Sequence, residues 1–157
     1  MKKTLKVSVI KSAFDIINNA RYGKLSDEDK IKVWRISRVL QPIAQKYEDD
    51  NNDAAKKLKP ADKDFDEKVK KLFQFDQMVQ ANADPKELPM GISERNDFFE
   101  NVWKPYNKLV ADAVKDLGDK EVKVEIEPLS EEALAKLMAS NEWTFAVVTL
   151  IGGVVCE

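Results

Sequence analysis

The chain contains no histidine, which removes the usual general base of catalysis and the commonest protein ligand for transition metals. Its single cysteine, Cys156, cannot close an intrachain disulfide or build a zinc site, so no metal is expected and a reducing compartment is the natural setting. Among the 5 glycines there is no phosphate loop, nucleophile elbow or dinucleotide fingerprint, and no cofactor is expected. No apolar run approaches the ~18 residues that cross a bilayer. The opening Met1-Lys2-Lys3-Thr4 looks like the start of a secretion signal, but Lys6, Lys11 and Asp15 interrupt the apolar core such a signal needs. Charge of one sign is also lacking: 26 basic against 28 acidic residues leave a net −2, which supplies no bulk field for nucleic acid or an anionic membrane.

What is there is 157 residues, 34% charged and 43% hydrophobic, enough for a single domain with its own core. Val33, Ile36, Leu40, Ile43 and Tyr47 recur at alternating spacings of three and four, which places them on one stripe of a helix beginning at Ser26. Ser26 is its cap, and Asp27, Glu28 and Asp29 place negative charge at the positive end of the helix dipole. Pro42 should bend this helix. The stretch from Ser93 to Leu117 repeats the rhythm with Phe99, Val102, Tyr106, Leu109 and Ala113, so the two stripes are expected to face each other as a helical hairpin. A third amphipathic helix runs from Asp64 to about Ala83, with Phe65, Val69, Leu72, Phe73 and Val79 on one face. Asp84, Pro85, Pro89 and Gly91 mark a loop after it.

Two segments alternate with the period of a strand: residues 4–9, and residues 121–127 with Val122, Val124 and Ile126. They should pair, since a lone strand is not stable in water. A short helix is expected after Ser12, Gly118 should terminate the second long helix, and Ser130 should open another. Trp143 to Ile151 is apolar on every side, so periodicity does not separate a helix capped by Ser140 from a strand; it is read as that helix, ending at Gly152-Gly153. The expected fold is mainly α with a small β element, a helical hairpin or bundle over about 12–117 and a two- or three-stranded sheet. The sheet and a C-terminal helical segment occupy about 119–157, joined by strand 4–9.

No acidic cluster demands chemistry. The Asp27 triplet is explained by capping, and Asp49, Asp50, Asn51, Asn52 and Asp53 lack the glycine and later glutamate of an EF-hand loop, so they read as a solvated stretch where the helix frays or turns. Trp34, Trp103 and Trp143 are most simply core anchors, one of them alternatively an exposed hot spot. The candidate protein interface comprises Phe75 and Met78 at the edge of the third helix, with Trp143, Phe145, Val147, Leu150 and Ile151 in the apolar segment. No catalytic residues are assigned and no enzyme activity is expected; a carboxylate-based enzyme ranks last among the functional classes.

The order of features resembles a family of uncharacterised small proteins of tailed phages and prophages. The similarity lies in Leu25 to Leu58, a leucine-rich cap leading into a long helix. It resumes from Phe99 to Leu137, with Lys120-Glu121-Val122-Lys123-Val124 and Leu129-Ser130-Glu131-Glu132. Asp64 to Ile92 departs from the pattern, and the family supplies no functional residues to carry over. The resemblance implies a phage-encoded protein made in a bacterial host cytoplasm, or carried in the virion, whose partners are other phage proteins or itself. A small inhibitor of a host defence or metabolic enzyme is the alternative.

Overall fold

The computed structural model describes residues 1–157, and the chain divides into two compact units, Met1–Asn52 with Lys115–Glu157, and Asp53–Val114. The architecture is mainly α with a small antiparallel sheet. The division does not follow the one expected. The N-terminal helices group with the sheet and the C-terminal segment, because their apolar faces share one core with them.

In the first unit, strands β1 (Lys2–Lys6) and β2 (Glu121–Glu125) pair antiparallel, with Lys2 opposite Glu125 and Lys6 opposite Glu121. The ladder continues beyond both ends: Ile126 N–H donates to the Met1 carbonyl at 2.9 Å, and Val7 N–H donates to Lys120 at 2.9 Å. Alternation puts Val124 and Ile126 into the core and leaves Lys2, Thr4, Lys6, Glu121, Lys123 and Glu125 exposed. Helix α1 (Val7–Asn18) follows β1 directly. The strand expected over 4–9 therefore stops at Lys6, and Ser12 lies inside the helix rather than capping it. Val7, Ile10, Ala13 and Ile17 form a buried helical stripe, and burying it outweighs the short alternation of Val7 and Val9.

Helix α2 (Asp27–Leu58) is capped as expected: Ser26 Oγ accepts from Asp29 N–H at 3.1 Å and donates to the Asp29 carboxylate at 2.8 Å. It runs through Pro42, which lies on the exposed side, and through residues 49–53, where the sequence predicts that the helix frays or turns. Bonds from Gln45 to Asp49 and from Lys46 to Asp50 at i, i+4 support that segment, and Lys56 and Lys57 sit favourably at the dipole's negative end.

Val33, Ile36, Leu40 and Ala44 are buried on α2, the first three in one core with Ile10, Ala13, Leu137, Ile151, Val154 and Val155. Helix α5 (Lys104–Asp119) closes into β2, and Gly118 lies within it rather than ending it. Ser130 Oγ accepts from Ala133 N–H to start α6 (Glu131–Asn141), and Glu142, in the left-handed region at φ 53°, turns the chain toward α7 (Phe145–Val155). The apolar segment is thus a helix, capped by Thr144 rather than by Ser140, which lies inside α6 with its hydroxyl on the Lys136 carbonyl, and it passes through Gly152-Gly153 because Val154 and Val155 beyond them are fully buried. The Lys3 ammonium donates to the carbonyls of Gly153 and Cys156, tying β1 to the end of α7.

The second unit contains the end of α2, α3 (Phe65–Gln80), a 3₁₀ turn at Pro85–Glu87, α4 (Ile92–Phe98), a π-helical turn at Phe99–Trp103, and α5 as far as Val114. Pro105 has no N–H to give the carbonyl four residues back, and the ladder loosens just before it: Lys104 N–H bonds Phe99, five residues earlier. Phe65, Leu72 and Phe98 form the core, with Phe99, Val102, Trp103 and Tyr106 packed against it. Phe65 meets Tyr106 edge-on at 5.2 Å, and the Tyr106 hydroxyl donates to the Ala55 carbonyl. The stripe of Phe99, Val102 and Tyr106 therefore covers Phe65 and Leu72, whereas the Val33 stripe covers α1, α6 and α7. The hairpin pairing of those two stripes is corrected accordingly, and Leu109 is 53% exposed. On α3, Phe75 is buried while Phe73 and Val79 are half exposed, since the inward face follows Phe65, Leu72 and Phe75.

Candidate protein-contact site

The buried stripe of α2 dictates what points away from it. Each helical residue turns about 100°. With Val33, Ile36 and Leu40 inward, Ile31 and Trp34 face out, at 51% and 57% exposure. The guanidinium of Arg38, one turn on, stands 5.1 Å over the Trp34 ring and holds the indole against the helix. Such an exposed aromatic is pre-ordered before any partner arrives, which lowers the entropic cost of contact.

Beside Trp34 lies a groove of about 320 Å³, lined by Ile17, Asn18, Tyr22, Lys30, Val33, Trp34 and Ser37. Its floor is apolar, because Ile17 and Val33 are almost fully buried. One wall is Tyr22, whose hydroxyl donates to the Ile17 carbonyl; burial pushes the phenol up to about 12, so it is a neutral group committed to the backbone. The turn carrying Tyr22 is held from α6: Arg21 N–H donates to Asn141 Oδ1 at 2.6 Å, and the Asn141 amide donates back to the Arg21 carbonyl at 3.0 Å. Leu25 anchors the turn's far end in the core. The groove is therefore a fixed shape, with an apolar floor, two aromatic walls and a polar rim. An apolar centre with a polar rim is the general anatomy of protein interfaces.

The residues singled out from the sequence are scattered by the fold. Ile151 is fully buried and Phe75 is 6% exposed, so these two are core, because each falls on the inward stripe of its helix. Trp143, Val147 and Leu150 are half-buried against the first unit's core, and Met78 is half-buried on α3. Phe145, at 84% exposure, is the one large side chain of that set fully presented to solvent. Trp34 reads from the sequence as a core anchor, on the strength of its apolar ring. The signal that marks it otherwise is its position one residue off the Val33 stripe.

Cys156 is buried, and burial pushes its thiol upward, which favours the protonated and unreactive form. No three acidic, cysteine or histidine side chains are grouped to hold a metal ion. No helix is long and apolar enough to cross a membrane. No protein-family model, curated protein or solved structure matches the chain.

Proposed function

We propose that this chain is a non-enzymatic, phage-encoded protein that acts by protein–protein contact, as an assembly or virion-associated component, with the Trp34 face of α2 as its contact surface. The observation that carries the contact role is Trp34 itself, more than half exposed, braced by Arg38 and set beside a preformed apolar groove. Tryptophan, tyrosine and arginine are the residue types that dominate measured interface hot spots, and all three meet here. The phage setting rests on the resemblance over Leu25–Leu58 and Phe99–Leu137.

The test compares the wild-type protein with Trp34→Ala in a phage that carries the gene. An assembly role requires mass spectrometry to find the wild-type protein in purified virions or in assembly intermediates, and the variant to be depleted at least about tenfold, the loss typical of a hot spot. Capture of a single host enzyme by the wild-type protein, with none in virions, would instead favour the inhibitor reading. Unchanged retention of the variant would remove Trp34 as the contact.

A further inference from the structure

We infer that the Trp34 groove receives an acidic amphipathic helix from another protein, an inference that rests on the contact reading of the same groove. Lys30, Trp34 and Arg38 are spaced four residues apart and form one strip along α2, Lys30 one turn before the indole and Arg38 one turn after it with its guanidinium over the ring. At 1.5 Å per residue the backbone positions of Lys30 and Arg38 are about 12 Å apart along the axis, and the Arg38 guanidinium folds back over Trp34 between them. A partner helix carrying carboxylates one to two turns apart presents them at about 6–11 Å, within reach of these two long side chains, with apolar residues between them at the level of the groove.

The charges on this strip are available. The Arg38 guanidinium lies over Trp34 and makes no ion pair, so its in-plane donors remain open to a carboxylate. Lys30 pairs with Asp27 at 3.0 Å, but that carboxyl is 95% exposed, and a surface pair of this kind holds its cation weakly. Other cations nearby on α2 are engaged away from the groove: Lys32 with Glu28, and Arg35 with Glu127. Arg21 and Lys24, both exposed, flank Tyr22 in the turn that forms the opposite wall, and neither side chain is in an ion pair. Both sides of the groove thus carry positive charge on a chain whose net charge is −2. Cations left open at the rim, even beside the acidic first turn of α2 (Asp27, Glu28 and Asp29), select for acidic partners and raise their association rate.

Two labelled synthetic helices with the same leucine stripe, one with glutamate and one with lysine on the polar face, test this by fluorescence anisotropy against the full-length protein. The glutamate peptide should bind at least about tenfold more tightly at low salt, with the gap narrowing as salt rises. Arg38→Gln should lower its affinity about tenfold and leave the lysine peptide unchanged. Trp34→Ala should remove binding altogether. Both side chains are exposed, so circular dichroism should show both variants folded. Equal affinity for the two peptides, no binding of the glutamate peptide, or insensitivity to Arg38→Gln overturns the inference. So does sedimentation showing the groove closed by a second copy, with dissociation on Trp34→Ala. If the acidic peptide fails while Trp34→Ala still strips the protein from virions, the acidic partner falls and the contact reading stands.

Discussion

A Cβ placed on Gly118 would lie 2.8 Å from the hydroxyl oxygen of Tyr47 and 3.0 Å from Ser8 Cβ, closer than a methyl group can be accommodated without movement. The last turn of α5 therefore passes α1 and α2 so closely that a side chain there must displace Tyr47 and Ser8, and this residue is buried for packing rather than for turning the chain.

Gly118→Ala should consequently destabilise the protein by about 1–3 kcal/mol, although alanine is the better helix former. Gly153 is the control, since it is also helical and a Cβ there meets nothing within 4 Å. Gly153→Ala should stabilise by about 0.5–1 kcal/mol. Urea unfolding of the two variants beside wild type gives both signs, and a stabilised Gly118→Ala would show that α5 can move aside.

Leu40 is fully buried in the first unit's core, on the stripe that faces α1, α6 and α7. Leu40→Ala should cost about 2–5 kcal/mol, combining lost transfer free energy with the cavity left behind. Leu109→Ala, at a half-exposed position of the other stripe, should cost well under half of that. Comparable losses in chemical denaturation would restore the hairpin pairing of the two stripes.

Tyr22 makes stability depend on alkaline pH. Its folded pKa is raised to about 12 by burial, against 10.0 for the free side chain, so the unfolded state loses the proton first. Stability should hold below about pH 10 and decline by roughly 1–2 kcal/mol as the pH rises toward 12, less than the full shift implies because the ring is partly exposed. Tyr22→Phe should flatten that decline while costing about 0.5–1.5 kcal/mol at neutral pH for the lost hydrogen bond to Ile17. Thermal melts across the alkaline range, wild type against variant, measure both.

Removing residues 141–157 should unfold the first unit. Ile151, Val154 and Val155 are each fully buried, and each contributes about 1.5–3 kcal/mol of burial. The deletion also takes away Asn141, which clamps the Tyr22 turn, and the Gly153 and Cys156 carbonyls that receive Lys3. Loss of helical circular dichroism with exposure of apolar surface to a dye is the expected result. A shortened chain that stays folded would make α7 an attached surface element rather than core.

Local chemistry determined a good part of this protein before any long-range contact was considered. Ser26 with the acidic first turn specified where α2 begins, the three-four spacing of Val33, Ile36 and Leu40 specified its inward face, and the alternation of Val122, Val124 and Ile126 specified β2. Each signal is carried by residues within a few positions of one another, which is why it can be read along the chain. The partner of each face was decided elsewhere. Val7 and Val9 fit a strand or a helix equally well until Ile10, Ala13 and Ile17 find the α7 core, and Gly152-Gly153 looks like a helix end until Val154 and Val155 are seen to be buried beyond it. Trp34 shows the same limit at the candidate site: its spacing placed it off the stripe, but an indole's apolar surface suits core and interface alike. Only the packing of α1, the Tyr22 turn and α2 leaves that ring in solvent beside a groove, because burial is set by residues far apart in sequence that no local pattern encodes.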